Sequence, residues 1–541
     1  MRKLTVLSLA GLLILAFSAV GYAQAPKLEF RASGFIDTQT FIGEGVPVYP
    51  GGGGGGINGQ AAIYGVTNTN YGTGAGGLAR VNAPGWNRTQ SNWEGRAHLK
   101  FDAVMGPNLS GTIYFEMDTL RWGSVFNATA IQRDANNFGA WTTDRAAVEV
   151  KNIYIDVGLP YFGIPVPITV RVGAQPIGVR PGMLVYSDGT GVTAGIKIDP
   201  VMIMPIYAKA LENLDFADDD VDVWGLHANA KLGTFTVGAY GLAYRMNTYP
   251  FFTFAPNATL ALGGIIPQVP GTFKSHMYWL GAYADGKAGP VNLNFDFVYD
   301  YGSVDERNTP GVPNVKYEGW ATRLKVDFPW EKFNFGAVGM YATGADTRRT
   351  SNTGLPGSST ALAPLFGTRN SRRVSGYVVP PGSEQGAGTN ESIVVYGGEP
   401  GATGGYGIAQ NANYGALSRG GFGGTWFAKL YGSMKLAPWY KLTLQGLYIG
   451  DTTRNGTTFG SAVKYAGSPA QLLRSDTDIG WEMDLVNEIQ IYNNLRFWVG
   501  AGYLFAGNAL DVAMATATPG VFQNRAATNP WAVRTRLMYV F

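Results

Sequence analysis

The chain has 541 residues, with 41 Lys+Arg against 38 Asp+Glu, 76 glycines and no cysteine. Without thiols it can hold no disulfide scaffold, Cys-ligated zinc, iron–sulfur cluster or covalently attached c-type haem, and a net charge of +3 offers no basic face for nucleic acid. A hydrophobic content of 45% excludes a disordered chain, so the question is where that apolar surface is buried.

Residues 1–23 read as a secretory signal peptide: Arg2 and Lys3 form the charged region, Leu4 to Val20 the apolar one, and Gly21-Tyr22-Ala23 a small-x-small cleavage site. Cleavage after Ala25 ranks second, because Pro26 would follow the cut. No later apolar run reaches the length of about 18 residues that a membrane helix needs. From Gln24 onward the pattern is instead period-two alternation. In NWEGRAHLKFDAVM, Trp93, Leu99, Phe101 and Met105 oppose Glu94, Arg96, His98, Lys100 and Asp102; VNLNFDFVYDY and WEMDLVNEIQIY repeat the split.

Taken in order, the segments begin near Leu28, Asn92, Leu109, Ala146, Ile168, Val192, Val201, Val221, Thr234, His276, Pro290, Tyr317, Phe333, Gly424, Tyr440, Asp478, Asn494 and Asn529. They run about 10 to 13 residues, the length of a tilted strand crossing an outer membrane. Their connections alternate between tight turns, such as Gly106-Pro107-Asn108 and Ala437-Pro438-Trp439, and long Gly/Ser/Asn-rich stretches, among them Pro176 to Thr190 and Gly344 to Gly423. These features predict an all-β fold: a transmembrane antiparallel up-and-down β-barrel of about 18 strands, with short periplasmic turns and long extracellular loops, over a single domain from 24 to 541. The last strand ends Leu537, Tyr539, Phe541 on one stripe and resembles the C-terminal signal read by the outer-membrane barrel assembly machinery. Trp330, Trp439, Tyr440, Tyr492, Tyr161 and Phe162 flank the short links as an aromatic girdle.

KNIYIDVGLP, ITVRVGAQPIG and LVYSDGTGVTAGIKID, from Lys151 to Asp199, resemble the corresponding strands of alginate-export-type and related substrate-specific porins. The resemblance covers about fifty residues and implies an eighteen-stranded barrel acting as a passive water-filled channel for small polar or charged solutes. Alginate exporters have a strongly electropositive lumen, and this chain departs from that. The alternatives are a polysaccharide exporter, or a barrel sheath around an electron-transfer or surface complex.

With the apolar face on lipid, the pore-lining candidates are Glu94, Arg96, His98, Lys100, Asp102, Glu116, Asp118, Arg171, Lys197, Asp296, Arg323, Lys325, Glu482, Asp484, Glu488, Arg496, Arg534 and Arg536, with Lys209 on the same count. Arg534 and Arg536 should close beside Arg31 as a basic wall. In the long loop 344–423, Arg348, Arg349, Arg369, Arg372 and Arg373 are candidates for a pore constriction, for lipopolysaccharide phosphates, or for neither role. Asp218, Asp219 and Asp220 offer a weak calcium set without EF-hand spacing. GAYADGK lacks the Ser/Thr of a phosphate loop, and His98, His227 and His276 accompany no catalytic motif, so neither an enzyme nor a cofactor is predicted. The partners implied are outer-membrane lipid and lipopolysaccharide, the assembly machinery and small polar solutes; the oligomeric state is left open. Mass spectrometry of the mature protein should place its N-terminus at Gln24, with the net charge reduced from +3 to +1.

Overall fold

Alternation sends successive side chains to opposite faces of a strand, and a sheet with one apolar and one charged face closes on itself when both faces need different surroundings. The computed structural model describes residues 27–45, 89–119, 122, 148–159, 166–212, 217–249, 273–306, 315–345, 373–382, 391–397, 417, 419–454, 458, 476–510, 512–515 and 522–541. Its wall strands are β1 (Leu28–Glu44), β2 (Gln90–Met105), β3 (Leu109–Thr119), β4 (Glu149–Leu159), β5 (Ile168–Val179), β6 (Val185–Ile198), β7 (Val201–Leu211), β8 (Val221–Leu232) and β9 (Phe235–Tyr249). They continue as β10 (Phe273–Ala288), β11 (Val291–Glu306), β12 (Val315–Trp330), β13 (Phe333–Ala342), β14 (Thr425–Ala437), β15 (Tyr440–Asp451), β16 (Asp478–Tyr492), β17 (Leu495–Ala506) and β18 (Trp531–Val540). Each pairs antiparallel with its chain neighbours, and β18 also pairs with β1, closing an eighteen-stranded up-and-down barrel. At the seam, Gly34 and Phe541 exchange backbone bonds of 2.9 and 3.0 Å.

The faces separate as the alternation requires. Phe101, Phe297, Trp481, Leu537, Tyr539 and Phe541 are exposed on the outside, while Glu94, His98, Asp296, Glu482, Arg534 and Arg536 are buried on the inside. Trp330, Trp439 and Tyr492 stand outward beside the short turns; Tyr161 and Phe162 lie outside the described residues. A second outward aromatic band, which the sequence reading missed, includes the stacked Phe297–Trp320–Tyr341 (6.2 and 5.0 Å) and, in edge-on and tilted contact, Trp426–Tyr448–Trp481 (5.5 and 4.8 Å). The ten residue steps from Trp320 to Trp330 span about 33 Å of strand, or about 25 Å along the axis at a tilt of about 40°, which is the height of an outer-membrane apolar band.

Seventeen of the strands start within three residues of the predicted positions. The exception is β6, which begins at Val185 rather than Val192, so Pro176–Thr190 is not a long loop: the connection is Arg180–Leu184. Serine, aspartate and glycine in VYSDGTG hid a strand whose ladder with β5 continues to the tip. The signal segment lies outside the described residues. Outward-facing Leu324 sits near the middle of the apolar band, so Leu324→Arg should destabilise the bilayer-inserted barrel by about 2–4 kcal/mol. Removing inward Lys325, as Lys325→Ala, should cost less than about 1 kcal/mol. Urea unfolding from liposomes distinguishes the two.

Candidate functional site

The β5 sequence ITVRVGAQPIGV turns a wall strand into the lumen. β4 pairs with β5 only up to Ile153↔Ala174, and β6 with β7 only up to Thr190↔Lys209, whereas β5 and β6 stay paired to Val179↔Val185. The end of this hairpin has therefore left the wall. Gly173, at φ 131°, makes the bend, since a Cβ would run into the Ile153 carbonyl. Two residues after the last β4 pair, Pro176 has no N–H to extend that edge. Buried Gln175 ties the departing strand to β6: its amide donates to Gly191 O at 2.9 Å and accepts from Thr193 Oγ1 at 2.8 Å. At the tip, Arg180 stacks 4.0 Å over the Tyr283 ring and donates to Asp285 (2.8 Å) and Asp296 (2.5 Å). Burial lowers the Arg180 pKa, but the two carboxylates outweigh it and hold the group above its ordinary value.

Two stretches of the long loop fold in beside this tip. In the first, Tyr377 donates from its hydroxyl to Met183 O and from its N–H to Thr343 O, both at 2.8 Å. Val378 N donates to Asp300 (3.1 Å) while Val378 O accepts from Trp279 Nε1 (2.8 Å). In the second, the Glu482 carboxylate accepts from Ser392 Oγ (2.7 Å), Val394 N (2.5 Å) and Val395 N (3.0 Å). Ile393 N donates to Asp484 at 3.3 Å. Gly502 makes room, because a Cβ there would come within 2.9 Å of the Ile393 side chain. Glu391 anchors the segment by accepting from Arg323 Nη2 at 2.6 Å and from Lys429. Burial pushes the Glu391 carboxyl up, but Lys429 and Arg323 more than reverse this and hold it at about 2. The inserted stretches bring an apolar core inside the barrel, with Tyr377 stacked on Phe422 at 5.3 Å. The lipid-facing stripe is thus not the sole sink for apolar surface.

The inner wall from β1 to β5 carries paired charge. Glu116 meets Arg96 (2.9 Å), His98 (3.0 Å) and Lys151 (2.6 Å), and Lys151 continues to Asp188 at 2.8 Å. Strict alternation assigns Lys151 to lipid, and the sequence reading omitted it; a β-bulge opposite Tyr114/Phe115 re-aims it inward. Lys100 pairs with Asp102 (3.0 Å), and Arg171 pairs with Asp156 (2.7 Å) while lying 4.1 Å over the Tyr154 ring. At the seam, Arg536 is bidentate to buried Asp37 (2.9 Å and 2.7 Å). Arg31 pairs instead with Glu29 at 3.0 Å, so two of the three arginines expected to form a basic wall are matched by carboxylates. The inward parity of Asp37 is legible in the alternation of β1.

Glu94, Lys197, Asp296, Arg323, Lys325, Glu482, Asp484, Glu488, Arg496 and Arg534 occupy inward positions, with Lys325 3.4 Å from Asp327 and Glu488 2.6 Å from Lys441. Asp118 is a strand position opposite Arg96. Lys209 is a correction: its register partner Asp222 shares the outward face with Trp224, and it bonds Asp220 at 2.7 Å at the long-loop rim. Arg373 is another, pairing with outward Glu318 at 3.0 Å instead of entering the lumen; Arg348, Arg349, Arg369 and Arg372 lie outside the described residues. His276 belongs to β10 and points outward, while His227 meets Tyr283 Oη at 2.8 Å. Of the calcium candidates, Asp218 accepts from Asn247 (2.9 Å) and faces Arg245 (3.6 Å), and Asp220 faces Lys209. Among the described residues no group of three potential ligands could hold a metal.

No family model and no curated protein matches the chain. Among solved structures it is similar to the outer membrane protein OpdK of Pseudomonas aeruginosa (TM-score 0.45, 7% identity, covering 94% of this chain and 98% of that one). It is also similar to OccK8 (OprE) of the same organism (0.45, 10%, 94% and 98%) and to OmpT of Vibrio cholerae (0.37, 9%, 95% and 99%).

Glu391→Gln should leave Lys429 and Arg323 without the carboxylate they share, weakening the inserted segment by about 3 kcal/mol and making single-channel current larger and noisier. A depressed carboxyl pKa favours the ionised, bonded form. The stabilisation should therefore be complete above about pH 4.5 and fade as the pH falls through about 2, read as the pH at which the wild-type current acquires the same noise.

Proposed function

We propose that the protein is an outer-membrane porin: a passive, non-enzymatic, water-filled channel for small polar or charged solutes. The observation that carries this reading is the division of one closed sheet into an outward apolar face between two aromatic bands and an inward face of charged and hydrogen-bonded side chains. A wall of that kind hydrates a lumen through a bilayer. The inserted β5–β6 hairpin and the stretches 377–382 and 391–397 act as the constriction, so exclusion by size comes from Arg180, Tyr377 and Glu391 and their partners. The leader and the terminal Leu537-Tyr539-Phe541 stripe on the seam strand fit export and recognition by the assembly machinery, with lipid and lipopolysaccharide around the finished barrel.

A polysaccharide exporter needs a more uniformly basic lumen, whereas the inward bases of β1–β5 are matched by Glu116, Asp102, Asp156 and Asp37. A sheath around an electron-transfer partner needs a vacant interior, which the inserted stretches occupy in part. Purified protein in planar bilayers should give stable single-channel conductance with weak ion selectivity. A channel that never opens, or a reversal potential at the ideal cation or anion limit, would sink this reading.

A further inference from the structure

The inward charges differ between the body of the lumen and the mouth at the short turns. On that half the inward carboxylates are Glu29, Asp102, Asp156, Asp285, Asp327 and Glu488, and each is bonded to an arginine or a lysine. Nearer the turns stand five further cations. Lys197 comes two residues before the β6–β7 turn, Lys231 and Lys287 hold the same place before the β8–β9 and β10–β11 turns, Lys435 closes β14, and Arg496 opens β17. Register fixes their direction. Lys197 follows inward Thr193, Lys231 follows His227, Lys287 follows Tyr283, Lys435 follows Lys429, and Arg496 precedes Trp498, whose partner is inward Arg536. All five are exposed, and none makes a side-chain bond or ion pair among the described residues. The carboxylates on the turns, Asp199 and Glu331, do not balance them, since Lys332 stands beside Glu331.

We propose that these five side chains form an anion-collecting ring at the short-turn mouth and set the ion preference of the channel. The ligand class is small anions, held more strongly the more charges they carry. Charges already neutralised by a bonded neighbour project little field into the water, whereas fixed charges of one sign around a low-dielectric mouth raise the local concentration of counter-ions. An eighteen-stranded barrel is about 35 Å across its backbone, and cations two strands apart, as on β6, β8 and β10, are about 12 Å from one another. That spacing exceeds the screening length of about 8 Å at physiological salt, so the fields merge into one ring only in dilute salt. The inference rests on the channel reading and adds to it which residues select.

The test is the reversal potential of the full protein in planar bilayers across KCl gradients. The chloride-over-potassium permeability ratio should be about 3 near 0.01 M salt and fall to about 1 near 1 M, as the screening length shrinks from about 30 Å to about 3 Å. Changing all five, as Lys197→Gln, Lys231→Gln, Lys287→Gln, Lys435→Gln and Arg496→Gln, should hold the ratio near 1 at every salt concentration. Each single change should remove part of the preference, which separates a selectivity effect from failed assembly, and Arg373→Gln at the opposite rim should remove none. An open channel that prefers potassium in dilute salt, or whose chloride preference survives all five changes, overturns the ring and leaves the channel reading standing. A protein that never conducts overturns both.

Discussion

Closure of the sheet between β1 and β18 is the condition on which the rest of this molecule depends. A strand edge facing hydrocarbon has no water to satisfy its amides, so an open sheet of this kind would not persist in a bilayer. The exchange of backbone bonds between Gly34 and Phe541, reinforced from inside by Asp37 and Arg536, removes the edge. Once the edge is gone, the two faces are committed to two solvents, and each substitution on a wall strand is judged by which solvent it meets.

The interior then faces a problem of its own. A wide barrel lined only by its wall would leave its polar groups to water, and this one instead feeds its own chain back inside. The inserted backbone is not shielded from bonding: its N–H groups at Val378, Ile393, Val394 and Val395 end on wall carboxylates Asp300, Asp484 and Glu482. Wall acids on β11 and β16 therefore serve as receptors for main-chain donors, while Glu391 returns a carboxylate to wall cations. Buried charge in this protein positions backbone as much as it addresses solutes.

The wall was legible because its code is periodic. Apolar and charged residues alternate over stretches as long as β2, β11 and β16, and turns with proline, glycine and asparagine interrupt them at the short rim, so strand number and face followed directly. What lay beyond reach was whatever breaks the period or acts at long range. Lys151 changes face at a bulge that its own strand does not announce. Lys209 follows its outward parity opposite Asp222, and the reading that charge on a strand means lumen fails for it because it sits at the rim, past the lipid. The hairpin of β5 and β6 was hidden because its strand residues are those of a loop. Its bend was nonetheless written in V-G-x-Q-P, where glycine supplies a backbone angle, glutamine a side-chain amide in place of a ladder bond, and proline a missing donor. No local pattern couples Glu391 to Lys429 or Ser392 to Glu482, which are joined only by the closed wall.

The hairpin tip has a mechanical side as well. Arg180 leaves β5 and fastens to β10 and β11, so it spans a chord of the cross-section and links two arcs of wall that the sheet connects only through several intervening strands. A wide cylinder resists axial load well but flattens easily, and a brace along one chord stiffens it against flattening in that direction. Lateral pressure from the bilayer would thus deform the section mainly across the brace, and the aperture beside it would keep its width while the rest of the wall breathes.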